Sequence, residues 1–364
     1  MEILGVKFAP LRVPLNRRLE TLSAALWILI FLSGYFAGYI LTAYFLFFTQ
    51  TMRYFILLYF IWMYYDWNKF DIGKIRRKFL QWIRSCAWNR YFCNYFPIKL
   101  VKTTDLDSNK LYLFCSFPHG ILSTGVYGAF GTDIVGCREL FPGLEFRVVV
   151  LDQLFKSPLF REYLHINSAL ASSAECIKQQ LSTRPSPPYT GKATVLIPGG
   201  AAEAFECKPP GGAAEAFEEA FECKPGTYRI LIKRRKGFVK LALQNGNPLV
   251  PVYSFGETDI YDQVIWSDGS YMKRLQEYIR KKIGIAPILL VGRGFFQYTF
   301  GLIPRRKPIT VVVGSPMELP KIEEPTREQV EEYHEKFVKH LVNFFENEKH
   351  KYIENADSVH LEFV

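Results

Sequence analysis

A histidine at the end of an apolar run is the first residue in this chain whose type and placement suit chemistry. Residues 111–117 have strand length and strand composition, and Pro118, His119 and Gly120 follow them as a turn. An imidazole changes charge near neutral pH, so a histidine held at a strand end between proline and glycine suits a general base. The competing reading is a turn histidine with a purely structural role. A base also needs an orienting or acidic partner, an electrophile and a nucleophile to deprotonate. A His-x4-Asp pairing is absent, because Thr124 stands five residues after His119. Glu203 is the carboxylate expected to serve. It follows the apolar run Ala193–Ile197 through Pro198, Gly199 and Gly200, a turn that brings backbone N–H groups and a carboxylate to a sheet's C-terminal edge.

No G-x-S-x-G elbow, H-E-x-x-H pair, Walker loop or dinucleotide glycine fingerprint occurs. The chain thus supplies a base but no protein nucleophile, which fits a transfer in which an acceptor hydroxyl attacks directly. The seven cysteines lack C-x-x-C spacing, which reads as reduced thiols facing the cytosol, with no disulfide framework and no metal site. A net charge of +10 calls for an anionic partner, and the absence of any zinc-finger, RNP or basic-zipper pattern argues against nucleic acid. Two basic clusters, Arg234, Arg235 and Lys236 after the glycine loop and Arg305, Arg306 and Lys307 farther on, suit phosphate groups.

The elements that position these residues fall in two parts. Residues 1–20 form a short basic segment carrying Arg12, Arg17 and Arg18, and residues 21–48 contain no charge, more than the roughly 20 residues that span a bilayer. A second apolar arm runs from Tyr54 to Tyr65, and both flanks of the 21–65 region are basic. Both flanks should therefore be cytosolic, as a hairpin entering and leaving by one face requires. Gly34 and Gly38 would ease bending or close packing within the first arm. Residues 66–93 read as a basic, aromatic segment lying on a membrane surface.

From residue 94 to 350 the pattern becomes α/β. Strands are expected at 111–117, 146–151, 193–197, 249–255 and 310–313, with helices at 168–181, 236–244 and 270–283, giving a mostly parallel sheet with flanking helices. Thr326 and Gln329 mark a capping box ahead of a stripe of Val330, Tyr333, Phe337, Leu341 and Phe344, and residues 351–364 form a tail. Residues 198–225 hold a local duplication that repeats Pro-Gly-Gly-Ala-Ala-Glu, so that Glu215 copies Glu203 but lies farther from the strand. It is too short and isolated for a repeat architecture.

Several motifs together resemble the type 2 diacylglycerol acyltransferase family, which includes monoacylglycerol and wax-alcohol acyltransferases. They are Tyr95-Phe96-Pro97-Ile98, Pro118-His119-Gly120, Phe141-Pro142-Gly143, Ser157-Pro158 with Arg161-Glu162, and Gly199 to Ala204. Further matches are Arg235-Lys236-Gly237-Phe238, Leu249 to Val252 with Phe255-Gly256-Glu257, and Pro304 to Ile309. The resemblance implies a glycerolipid acyltransferase-like fold behind a membrane hairpin. It also implies an endoplasmic-reticulum membrane enzyme with a cytosolic catalytic domain, able to reach lipid droplets.

The implied reaction moves an acyl group from acyl-CoA, a co-substrate and not a bound cofactor, to a neutral-lipid hydroxyl. Diacylglycerol is the favoured acceptor; monoacylglycerol or a wax alcohol, or a noncatalytic lipid-surface role, are the alternatives. His119 and Glu203 are the expected catalytic residues, with Pro118, Gly120, Arg161, Gly199, Gly200, Arg234, Arg235 and Lys236 at the substrate. Self-association into a homo-oligomer stays open. One departure stands out: the family's usual His-Pro-His-Gly reads Phe117-Pro118-His119-Gly120.

Overall fold

The computed structural model describes residues 2–3, 5–10, 12–66, 74–198, 228–230, 232–263, 270–272, 274–275, 278 and 290–363. Its centre is a seven-stranded sheet built from β1 (Lys99–Lys102), β2 (Leu111–Phe117), β3 (Leu144–Val150), β4 (Ala169–Ala171), β5 (Gly191–Leu196), β6 (Leu249–Phe255) and β7 (Thr310–Val313). The strand order is β1-β7-β6-β2-β5-β3-β4. Every pairing is parallel except β6 with β7, where Thr310 lies opposite Phe255. The central strands are apolar on both faces because both faces are covered, as parallel sheets require. Alternate residues of β2 therefore enter different cores. Tyr112 and Phe114 join one cluster with Leu122, Val126 and Val252, while Leu113, Cys115 and Phe117 join the other with Phe238, Tyr253 and Phe345.

Helices α1 (Leu15–Phe48) and α2 (Gln50–Asp66) form a hairpin, followed by α3 (Lys74–Arg84) and α4 (Ala87–Tyr95). α5 (Phe160–Ile166) follows β3, α6 (Ala174–Ser182) precedes β5, α7 (Gly237–Asn245) precedes β6, and α8 (Arg327–Lys349) closes the second core. The capping box of α8 is formed as expected, with Thr326 and Gln329 exchanging side-chain and backbone bonds. The expected helix from 168 to 181 begins later. Its first residues are edge strand β4, paired with β3, and Ser173 caps α6 by accepting the Cys176 N–H. The basic, aromatic segment expected over 66–93 holds α3 and α4, with a break at Ser85 and Cys86. Its second half packs inward, where Phe92 and Cys93 are buried.

Among the described residues α1 is the one helix long and apolar enough to cross a membrane. At 1.5 Å per residue its 34 residues span about 51 Å, more than a bilayer core needs. The surplus is used inside the domain. Ala24, Trp27 and Ile28 are buried, Trp27 lies 4.9 Å from Phe92 and 5.2 Å from Tyr127 between ring centroids, and Ser23 Oγ donates to the Trp88 carbonyl at 2.9 Å. Farther along, Phe36, Ile40, Phe47 and Phe48 of α1 and Tyr54, Phe55, Leu58 and Ile61 of α2 are exposed. Arg53 joins the two helices by donating to the Leu46 and Phe47 carbonyls, which the end of α1 would otherwise leave open.

Gly34 and Gly38 do permit close packing, but against the domain. A Cβ at Gly34 would lie 2.6 Å from the Phe160 ring, and one at Gly38 would lie 2.3 Å from the Pro158 carbonyl oxygen. α2 is tied to the same place. Arg161 pairs with Asp66 at 3.0 Å and donates to the Met63 carbonyl, while the Leu159 N–H donates to the Tyr59 hydroxyl at 3.0 Å. Both side chains of the ion pair are almost wholly buried, so removing Asp66 takes from the buried guanidinium its shortest ion pair and leaves the longer one to Glu162 at 3.7 Å. Asp66→Ala is expected to cost about 3–5 kcal/mol of stability, read as a lowered thermal midpoint of the detergent-solubilised protein. An unchanged midpoint would show that the pair contributes nothing.

Candidate active site

In a sheet of this kind, the loops that leave the C-terminal ends of parallel strands converge on one edge. β2 ends there with Phe117, β5 with Leu196 and β6 with Phe255. The antiparallel β7 starts there, and the segment Tyr95–Ile98 enters β1 at the same level. The turn after β2 is compact. Gly120 has φ +57° and Ser123 φ +52°, and both the Ser123 N–H and its hydroxyl donate to the His119 carbonyl.

His119 is half-buried, and its Nδ1 lies 2.8 Å from the Gly120 carbonyl oxygen. A carbonyl only accepts, so Nδ1 carries the proton and Nε2 carries the lone pair. Burial lowers the imidazole pKa from its ordinary 6.5, and the bond to Gly120 offsets this only in part. The ring is therefore neutral at physiological pH. A neutral imidazole with a fixed tautomer can accept a proton at Nε2 and return it later.

The residue beneath the turn is one that the sequence reading left without a role. Glu257 follows β6 through Gly256 and is 1% exposed. Its Oε1 accepts the Thr124 N–H at 2.7 Å and its Oε2 accepts the Gly125 N–H at 2.7 Å. These donors open the short helical turn Thr124–Val126, which runs into a π-turn over Tyr127–Gly131. A Cβ at Gly120 would lie 2.6 Å from Glu257 Cγ, so the backbone that follows His119 folds directly over the carboxyl. Burial raises its pKa from 4.5 to about 7, against the pull of the Gly125 and Thr124 N–H groups. The signal was a glycine and a carboxylate at a strand end, the same logic that selected Glu203.

The remaining expected residues are distributed. Pro118 is buried, with the Phe117–Pro118 peptide cis. Gly199, Gly200, Glu203 and Glu215 lie outside the described residues. Arg161 sits in the buried contact with Asp66, at the base of the hairpin. Arg234 is exposed, Arg235 and Lys236 are half-buried ahead of α7, and Lys236 is paired with Glu331 of α8, whose carboxyl it holds below the usual range. Arg305 and Arg306 lie on the approach to β7; Arg306 stacks 4.4 Å over the Tyr95 ring and pairs with Glu20. Phe117 is fully buried in the cluster on the opposite face of the sheet from Leu122 and Val126.

A family model described as diacylglycerol acyltransferase matches residues 44–214 and again 210–363, the two matches meeting within the duplicated segment. The chain is 40% identical over 347 residues to 2-acylglycerol O-acyltransferase 1 of Bos taurus, covering 95% of this chain and 96% of that one. It is 37% identical over 346 residues to diacylglycerol O-acyltransferase 2 of Dictyostelium discoideum, again covering 95% and 96%. With diacylglycerol O-acyltransferase 2 of Homo sapiens it shares 39% identity over 273 residues, 75% of this chain and 65% of that one. A solved structure, the 1-acyl-sn-glycerophosphate acyltransferase PlsC from Thermotoga maritima, aligns over 85% of this chain and 97% of that one, at 14% identity and a TM-score of 0.37. Sequence similarity of this extent places the chain in the diacylglycerol acyltransferase family, as an acyltransferase.

Proposed function

We propose that the protein transfers an acyl group from acyl-CoA to a neutral-lipid hydroxyl, with diacylglycerol as the acceptor and triacylglycerol as the product. The observation that carries this reading is His119, a neutral imidazole with Nδ1 committed to the Gly120 carbonyl, at the edge where the strand-end loops meet. Nε2 takes the proton of the acceptor hydroxyl as its oxygen attacks the thioester carbonyl carbon. The tetrahedral intermediate collapses with cleavage of the C–S bond, and the imidazolium proton goes to the departing thiolate. A thiolate leaves readily, so the reaction does not demand a strong general acid. Backbone N–H groups at Gly120, or at Gly199 and Gly200, stabilise the oxyanion, at roughly 3–4 kcal/mol per donor. Glu203 assists His119, and the arginines beside α7 meet the phosphates of the donor.

The exposed apolar surface of α1 and α2 supports a hairpin embedded in the endoplasmic-reticulum membrane, with the sheet domain on the cytosolic side and access to lipid droplets. There the acceptor and product dissolve where water would exclude them. A monoacylglycerol acceptor is the second reading. It is favoured by the match to a 2-acylglycerol O-acyltransferase along nearly the whole chain. Labelled acyl-CoA presented to microsomes with monoacylglycerol, diacylglycerol or a long-chain alcohol separates these cases, and no neutral-lipid product from any acceptor would refute the enzyme reading.

His119→Ala is expected to lower turnover by about 10²–10⁴-fold; full activity in a normally expressed variant would overturn the base assignment. Because burial holds the imidazole pKa down, the acid limb of the wild-type pH–rate profile should fall below pH 6.5.

Glu257 supports the turn without touching the reacting atoms. Glu257→Ala leaves two buried N–H groups open, at about 1–3 kcal/mol each, and should lower both thermal midpoint and turnover. Its raised pKa means that the folded protein holds this proton more tightly than the unfolded chain does. The contribution is complete below pH 4.5 and is lost as pH rises through about 7, so wild-type stability measured against Glu257→Gln should decline across that window.

Phe117→His buries an imidazole in an apolar cluster at about 1–3 kcal/mol. It should lower the midpoint without raising turnover, whereas a gain of about tenfold, about 1.4 kcal/mol of barrier, would assign that position to the reaction.

A further inference from the structure

Beside the start of α1 lies a cavity of about 560 Å³ whose lining, among the described residues, has six arginines and no acidic side chain. Arg12, Arg17 and Arg18 form one wall, and Arg293, Arg305 and Arg306 form the other. The walls are far apart in sequence but are stitched together. The Ala9 N–H donates to the Phe296 carbonyl at 2.8 Å, the Tyr298 N–H donates to the Lys7 carbonyl at 2.8 Å, and the Lys7 N–H donates to the Thr299 hydroxyl at 2.9 Å. Two of the guanidiniums are held in place from behind. Arg293 stacks 4.3 Å over Tyr298 with its Nε donating to the Gly294 carbonyl, and Arg306 stacks over Tyr95. Glu20 reaches Arg306 from outside the lining.

Six guanidiniums around one cavity concentrate positive potential there, even with Arg306 paired to Glu20 and Arg18 and Arg305 held by contacts of their own, and such a concentration attracts an anion. A guanidinium presents a planar fork of donors matched to phosphate oxygens, and it binds them bidentately. The rim adds a second feature. Val13, Phe295 and Phe296 line the same cavity, and Phe296 is exposed, so the site offers apolar surface beside the guanidiniums. Arg305 and Arg306 also lie on the approach to β7, whose first residue pairs with Phe255, two residues before Glu257. The cavity therefore shares the sheet edge that carries His119.

We propose that this cavity binds the phosphate of an amphipathic ligand, with the ligand's apolar portion leaving across the aromatic rim. Two sources carry that chemistry at a membrane surface: the phosphates of coenzyme A and the headgroup of an anionic phospholipid. The site gathers the basic cluster at 305–306 with arginines of the N-terminal segment, which composition alone did not connect to it.

The test measures binding to the full-length protein in detergent micelles, without turnover, so that its failure is distinct from failure of the acyl-transfer reading. The probes are coenzyme A and a short-chain phosphatidic acid. Arg17→Gln combined with Arg18→Gln, and separately Arg293→Gln, should weaken at least one probe by about tenfold or more, as loss of charge-assisted hydrogen bonds requires. Arg293→Lys, which keeps the charge but loses the fork, should lie between. Loss of coenzyme A binding alone assigns the cavity to the acyl donor, and loss of phosphatidic acid binding alone assigns it to a lipid headgroup. Thermal midpoints of the variants separate loss of the site from loss of the fold. The proposal is overturned if neither probe binds, or if folded variants bind both probes as the wild type does.

Discussion

The contact on which the rest of this site depends is the one between the Glu257 carboxyl and the backbone that follows His119. Two strands, β2 and β6, lie side by side in the sheet, and the loops leaving them are locked by a carboxyl that takes one N–H with each oxygen. The glycine at 120 is explained by this contact, since any side chain there would occupy the space of Glu257 Cγ. A left-handed backbone at Gly120 and a carbonyl aimed back at Nδ1 are two sides of one geometry. The carbonyl that fixes the imidazole tautomer thus belongs to a turn that the Glu257 carboxyl holds.

Burial has opposite effects on these two groups. It keeps His119 neutral, the form a base needs, and it keeps the proton on Glu257 to higher pH, which limits the negative charge beneath the turn. Under the proposed reaction an oxyanion at this turn would gain from both, because a fully ionised carboxylate below the turn would oppose the developing charge above it.

Much of this was legible in the chain. Strands 111–117, 249–255 and 310–313 were read with the bounds they have, because uninterrupted apolar runs of that length suit buried parallel strands. β1 was not, since Lys99 and Lys102 bracket only two apolar residues, and β4 was hidden because three residues give too short a signal against the helix that follows. His119 was found by its place between proline and glycine. Glu257 was missed although Gly256 and Glu257 stand at a strand end, because the bonds that give it a role reach Thr124 and Gly125, more than 130 residues away. Arg161 read as a substrate residue from its motif. Its contact with Asp66 depends on where the hairpin folds back, which periodicity does not reveal.

α1 has one further consequence. The same rod carries Trp27, wedged against Phe92 and Tyr127 beside the turn that Glu257 holds, and Phe47 and Phe48 at its far exposed end. Gly34 and Gly38 bring it against the loop before α5 near its middle, where a pivot would sit. A helix held at its centre and packed at one end is a lever. With the exposed arm in lipid, as proposed above, sideways force on it would be delivered to the aromatic packing behind the His119 turn, and the thickness and lateral pressure of that lipid would become mechanical inputs to the site.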